Sequence, residues 1–250
     1  MIARDAGATV ERTLNSLRDF PEVLVYDNGS VDATLEICAR YPNVRVVTGE
    51  FSGFGPTKAH AASLARGDWV LSIDADEYLS PELLDAIRSL RLDDAGVAYA
   101  IERCNLFMGK HVRHGGWGDN WLVRLFDRRK CSFSDRAVHE KVVVPDDVRV
   151  ERLDGVLWHQ AITELGQFLT KIELYSQLSL LRNRPTHNPF VISIMTVLSM
   201  FRSYVVKRGF LDGWRGLVIA FFDGAGVFYR YMLRYAKNEE RSDGEADKRA

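Results

Sequence analysis

Three times in its first 80 residues the chain passes from a short apolar run through a helix-length stretch to another apolar run, and the fourth run stops at carboxylates. Ile2-Ala3 reads as the tail of a strand. Val10, Leu14 and Leu17 recur at helical spacing, which predicts a short amphipathic helix over about 7–19, ended by Pro21. Val23-Leu-Val-Tyr26 has strand length, and Asp27-Asn-Gly-Ser30 after it is turn chemistry that delivers a second helix at Thr34. Val44-Arg-Val-Val47 is a third strand, Ser52-Gly-Phe-Gly-Pro56 a glycine-rich loop, and 57–66 a third helix. The run from Trp69 to Ile73 then ends in Asp74-Ala-Asp76-Glu77. Alternation at this spacing predicts an α/β fold with a mostly parallel sheet and right-handed crossovers, in which ligands bind beyond the carboxyl ends of the strands. Asp27 and the Asp74/Asp76 pair fall at such ends, so the sequence sets them on one rim.

Side chains two apart on an extended backbone share a face. If the strand continues through the pair, Asp74 and Asp76 repel, and a hard divalent cation between them is one way to relieve that. The other reading of the same residues is a strand running into an acidic turn, with Glu77 opening the next helix. Ser80-Pro81-Glu82 then caps a helix to about Leu90. Beyond it the pattern changes: 97–102, 121–126, 138–144 and 156–159 read as strands joined by glycine-rich and charged loops.

A chain of 250 residues, 46% hydrophobic and with net charge −1, has enough apolar surface for one sizeable core and lacks the basic excess of a general nucleic-acid binder. Cys38, Cys104 and Cys131 are odd in number and in no metal-ligand spacing, so reduced thiols and a cytoplasmic location are expected. The first residues carry no basic segment followed by an apolar one, the pattern of an export signal.

The segments Val25-Tyr-Asp27-Asn-Gly-Ser30-Val-Asp32-Ala-Thr34, Lys58-Ala-x-Ala and Ala65-Arg-Gly-Asp-Trp-Val-Leu-Ser-Ile-Asp74-Ala-Asp76-Glu77 resemble family-2 glycosyltransferases of the GT-A fold. Trp121-Leu-Val-Arg124-Leu-Phe and Val138-His139-Glu140-Lys-Val resemble the bacterial lipopolysaccharide-core β-glucosyltransferase branch. The resemblance covers about 2–159. It implies inverting transfer of a sugar from a nucleotide diphosphate donor, a UDP-hexose by the family's preference, to a glycolipid or saccharide acceptor, with Mn2+ or Mg2+ as cofactor. By the same resemblance Asp76 is the metal-binding acid and Asp74 meets the ribose or the metal shell. Asp27 meets the base, Lys58 contacts the nucleotide, and Ala3 and Arg4 lie beside the donor. For Asp27 an ordinary turn aspartate remains an alternative, as does a solvated helix lysine for Lys58. Glu140 is the expected base, with Asp119 in reserve; strand alternation lets only one of His139 and Glu140 face the cleft. His139 and His159 are expected metal or donor ligands, and His111 and His114 loop residues. Members of the family carry a full apolar strand ahead of the Ile2-Ala3-Arg4 position, of which almost nothing stands here.

These readings divide the chain into a transferase domain over 1–160, a helical region over 161–237 and a disordered charged tail over 238–250. Between Arg182 and Lys237 there are nine Lys or Arg against two acids, Asp212 and Asp223, among large apolar residues. No uninterrupted apolar run there reaches about 18 residues, so helices lying on the anionic inner face of the cytoplasmic membrane are expected rather than spans, with packing or an oligomer contact as the alternative. Two other functions fit the same motifs. One is transfer to a polyprenyl phosphate, whose anionic oxygen needs no base. The other is nucleotide-sugar binding without catalysis.

Overall fold

The computed structural model describes residues 1–118, 120–136, 140–180 and 185–247. The chain forms two compact units: Met1–Leu106 with Asp119–Ala161, and Phe107–Gly118 with Ile162–Ala250. The loop 107–118, which the sequence reading assigned to the transferase domain, groups with the C-terminal helices.

The first unit begins with β1 (Ile2–Ala3), α1 (Val10–Asn15), β2 (Val23–Asp27), α2 (Thr34–Cys38), β3 (Val44–Thr48) and α3 (Phe54–Ser63). β1 and β3 flank β2, both parallel to it, as the crossovers require. The five residues of β2 are all buried, which explains their unbroken apolar run. α3 starts three residues earlier than expected, because Gly53, at φ 105°, supplies a turn that other residues reach only with strain.

β4 is only Trp69–Leu71, and β5 (Glu77–Leu79) precedes α4 (Pro81–Ser89). Glu77 therefore sits in a strand and not at a helix start. Ser80 Oγ accepts from the Leu83 amide at 3.2 Å, the cap read from the sequence. β6 (Val97–Phe107), β7 (Lys110–Val112), β8 (Asn120–Asp127), β9 (Ser132–Phe133), β10 (Val142–Val143) and β11 (Arg149–Ile162) follow. The second sheet runs β4-β8-β6-β11-β5, with β4–β8, β6–β8 and β5–β11 antiparallel. The fold is thus the expected α/β class with a mixed sheet system: parallel where helices alternate with strands, antiparallel where the helices stop. β1 and β4 belong to different sheets and do not pair with each other, and a cavity of about 410 Å3 is lined by Leu24, Leu71, Ile73 and Leu125. Val10, Leu14, Val25, Leu83, Ile101 and Leu157 are at most 1% exposed and centre the core of this unit. Cys38, Cys104 and Cys131 are buried free thiols.

In the second unit α5 (Gly166–Leu180), α6 (Pro189–Phe201) and α7 (Trp214–Asp247) are joined by a π-helical turn over Arg202–Val206 and a 3-10 turn over Gly209–Asp212. Asn188 caps α6 with Oδ1 on the Val191 amide at 2.9 Å. Phe107, Val112, Ile162, Phe168 and Ile219 form its core, with Phe168 stacked on Phe222 at 4.2 Å. The tail expected to be disordered from Asn238 instead continues α7 to Asp247. Its Glu, Lys, Arg and Ala residues are good helix formers and extend an existing helix, so no nucleation cost arises. Pro189–Val206 and Trp214–Glu240, with mean hydropathies of 1.6 and 1.3, are long and apolar enough by length and composition to cross a membrane, so the absence of an uninterrupted apolar run does not exclude spanning.

Candidate active site

The site grows from the end of β4. The strand stops at Leu71, and Asp74-Ala75-Asp76-Glu77 makes a turn closed by the Glu77 amide on the Asp74 carbonyl at 3.0 Å. Asp74 and Asp76 are therefore not alternate residues of one strand, and the shared-face argument gives way to a turn fixed from several sides. Thr13 Oγ1 donates to the Ala75 carbonyl at 3.0 Å, and the Gln160 amide to the Asp76 carbonyl at 2.8 Å. The Asp74 amide donates to Glu77 Oε2 at 2.9 Å.

Glu77 is fully buried, and Arg124 answers it from β8 with Nη2 2.6 Å from Glu77 Oε1 and 3.3 Å from Asp74 Oδ2. Arg103 Nη1 stands 3.8 Å from the same Glu77 oxygen. On the other side of Asp74, Lys58 Nζ lies 2.6 Å from Oδ1 and 2.7 Å from Glu140 Oε1. The repulsion that suggested a cation between two aspartates is relieved at Asp74 by two cationic side chains of the chain itself. Lys58 is 7% exposed, so a solvated helix lysine is excluded; a buried ammonium holds its charge because two carboxylates face it. Glu140 meets Lys58 from the segment before β10, outside any strand, so the alternation expected over 138–144 does not govern it.

These contacts set the protonation states. Burial pushes the Asp74 carboxyl up, but Lys58 and Arg124 reverse this and hold it well below the usual carboxylate range. Burial pulls Lys58 down, yet Asp74 and Glu140 raise it above its ordinary value despite the nearby Arg124. Glu77 is pushed up by burial, opposed by Arg124 and reinforced by Asp74 and Asp76. Arg124 stays charged at any accessible pH.

Asp76 belongs to a second pair. His159, directly opposite Glu77 in the β5–β11 register, puts Nε2 3.3 Å from Asp76 Oδ2 and Nδ1 2.6 Å from Asn105 Oδ1. With Asn105 accepting, the ring proton of neutral His159 lies on Nδ1 and the Nε2 lone pair points at a carboxylate oxygen. In that tautomer a cation shared by Nε2 and the carboxylate oxygen would satisfy both; with the ring proton on Nε2 instead, His159 donates to Asp76 directly. An aspartate oxygen and an imidazole nitrogen are two groups that would hold a divalent cation if one binds here. Among the described residues no group of three or more His, Cys, Asp or Glu is placed to hold a metal, so the chain supplies a partial donor set.

The other expected residues fall as follows. Asp27 is buried and accepts from the Gly29 amide at 3.0 Å and from Ser30 Oγ at 2.5 Å, so its carboxylate serves its own turn, as the alternative held. The Ala3 carbonyl accepts from Asn28 at 2.9 Å, and the Arg4 side chain is exposed beside Asp5. Asp119 and His139 lie outside the described residues. His114 is bound to Asp212 in the second unit, and His111 Nδ1 accepts from Arg113 Nε at 3.3 Å. Glu77, Arg124, Arg103 and Asn105 carry site geometry that the sequence reading did not assign; the signal available was a fully charged arginine inside the apolar run Trp121-Leu-Val-Arg-Leu-Phe.

A strand-end turn thus gathers acids and buried cations in an α/β fold. The model of glycosyl transferase family 2 matches residues 1–148, and the chain belongs to that family. It is 28% identical to an uncharacterized glycosyltransferase of Rickettsia typhi, over 97% of this chain and 86% of that protein. It is 24% identical to a lipopolysaccharide core biosynthesis glycosyltransferase of Rhizobium meliloti, over 95% and 94%. Among solved structures, S. aureus TarS in complex with UDP aligns with a TM-score of 0.45 at 17% identity, covering 97% of this chain and 90% of that one. A mannosyltransferase from Pyrobaculum calidifontis in complex with GDP-Man and Mn2+ aligns with a TM-score of 0.45 at 14% identity, covering 91% and 85%.

Proposed function

We propose that the chain transfers a sugar, with inversion, from a nucleotide diphosphate sugar, a UDP-hexose, to a glycolipid or lipopolysaccharide-core-type acceptor. The observation that carries this reading is the convergence of Glu140, Lys58 and Asp74 beside the Asp76–His159 pair: a base, a cation and a partial metal site in one unit. The lipopolysaccharide-core relative, alignable over nearly its full length, supports the acceptor class.

In this reading Asp76 and His159 hold the divalent cation. When bound, the cation offsets charge on the departing diphosphate, which matters more in the transition state than in the ground state. Lys58 occupies one oxygen of Glu140 and orients the carboxylate; the other oxygen takes the proton of the acceptor hydroxyl as that hydroxyl attacks the anomeric carbon. The bond from that carbon to the diphosphate breaks on the opposite face, UDP departs with the bonding pair, and the configuration inverts. Glu77 and Arg124 act one step removed, fixing the turn that carries Asp74 and Asp76.

The test is Glu140→Gln, which keeps the hydrogen bond to Lys58 and removes the base. Turnover is expected to fall by about 10²–10⁴ while UDP affinity holds within a factor of a few. Unchanged turnover would contradict the base assignment and favour an acceptor that attacks as an anion, such as a polyprenyl phosphate.

A further inference from the structure

Around the turns that join α6 to α7 the acids are tied up and the cations are exposed. Between Pro189 and Asn238 the only acids are Asp212 and Asp223. Asp212, whose side chain is 9% exposed, accepts from the His114 amide at 2.8 Å and the Arg113 amide at 3.3 Å, and faces His114 Nδ1 at 3.1 Å. Asp223 accepts from Ser203 Oγ at 2.6 Å, and Ser203 in turn accepts from the Gly116 amide at 3.0 Å. Arg202, Lys207 and Arg208, on the turns between α6 and α7, are exposed.

Those cations stand among apolar side chains that water covers at a cost. Val206 is 64% exposed, Phe210 48%, Leu211 56% and Trp214 50%. The corner is rigid: a Cβ on Gly216 would fall 1.7 Å from the Gly209 carbonyl oxygen, so α7 starts in backbone contact with the turn that bears Phe210 and Leu211. Bulky apolar tips on a fixed corner, ringed by cations and with every nearby carboxylate withdrawn, match the charge and polarity profile of an anionic lipid surface: headgroups for the cations, acyl boundary for the rings.

We infer that the corner Arg202–Trp214 docks the enzyme on an anionic bilayer, with Phe210, Leu211 and Trp214 entering the headgroup region and Arg202 and Lys207 pairing with lipid phosphates. This deepens the glycolipid-acceptor reading of the proposed function and rests on it. The lipid surface is favoured over a protein partner because the cations surround the apolar tips on several consecutive turns and no exposed acid interrupts them.

The experiment is co-sedimentation of the full chain with vesicles of phosphatidylethanolamine and phosphatidylglycerol, beside vesicles of phosphatidylcholine alone, with UDP titrated into the same preparations. Binding to the anionic vesicles only, weakened by salt, is expected. Phe210→Ser with Leu211→Ser, and separately Arg202→Glu with Lys207→Glu, should each lower the partition about tenfold or more, while Val150→Ser, an exposed apolar residue of the first unit, leaves it unchanged. Both double variants replace exposed side chains, and circular dichroism verifies that they fold. Equal binding to both vesicle types, full binding by the variants, or a dimer formed through the corner that excludes vesicles would each overturn the inference. A chain that binds UDP but no vesicle loses the docking surface and keeps its function; one that binds vesicles but no UDP loses the function reading alone.

Discussion

The two units treat buried acids in opposite ways. In the first, Asp74, Glu77 and Glu140 face long cationic side chains, Lys58, Arg103 and Arg124, so charge is concentrated at one place. In the second, Asp212 and Asp223 are spent on backbone amides, a histidine ring and a serine hydroxyl, while Arg202, Lys207 and Arg208 stay at the surface. A cluster of compensated charges can exchange partners when a charged ligand arrives. An acid used by amides and hydroxyls fixes backbone, and at Arg202–Trp214 it leaves no exposed carboxylate beside the cations. The same residue type thus builds a site in one region and a scaffold in the other.

The largest expected effect breaks the first arrangement. Arg124→Met should cost about 3–5 kcal/mol of stability in urea unfolding, because it strips the fully buried Glu77 of its 2.6 Å partner and leaves an uncompensated charge. Adding Glu77→Gln to that variant should restore a large part of the loss, since the stranded charge then disappears. If Arg124→Met costs no more than a surface substitution, the cluster is not held as described. In the second unit Asp223→Ala should cost less, about 1–3 kcal/mol, because it leaves a hydroxyl rather than a charge without its partner. Hydrogen exchange should place that loss in α6 and α7 without altering UDP binding.

A pH titration sharpens the same contrast at smaller scale. Asp74 is depressed in the folded chain, so its contribution is complete above the ordinary value of 3.8 and is lost as pH falls below it. Lys58 is raised, so its contribution is complete below 10.5 and lost as pH climbs beyond it. Between those limits the raised Glu77 carboxyl subtracts stability as pH climbs above 4.5, and the Met1 amine, lowered by burial to about 6, adds it between 6 and 8; Lys58→Met should abolish the alkaline fall. An alkaline limb unchanged in Lys58→Met would show that some other group titrates there.

Much of the first unit was legible in the sequence because its elements obey one period at a time. The buried run Val23–Tyr26, the Ser80-Pro81 cap and the Asp27 turn each carry their own local signal. β6 and β11 were read too short, as 97–102 and 156–159, because their ends are polar and held by strand pairing rather than by an apolar pattern. Asp74-x-Asp76 looked like alternate strand residues because spacing does not reveal that β4 stops at Leu71. Lys58 read equally as a nucleotide contact and as a surface lysine because the acids that bury its charge lie 16 and 82 residues away in sequence. The apolar and basic composition of the C-terminal third was plain, but which acids turn inward depends on contacts to Arg113, His114 and Ser203 that no local pattern encodes.

The most direct test of the account is calorimetric titration of the full chain with UDP, with and without Mn2+, beside Asp76→Asn and His159→Gln. The account predicts binding that Mn2+ strengthens at least tenfold and that both variants reduce to the metal-free level. UDP binding indifferent to Mn2+ in the wild type, or Mn2+ enhancement that survives in both variants, would contradict a donor site built on the Asp76–His159 pair.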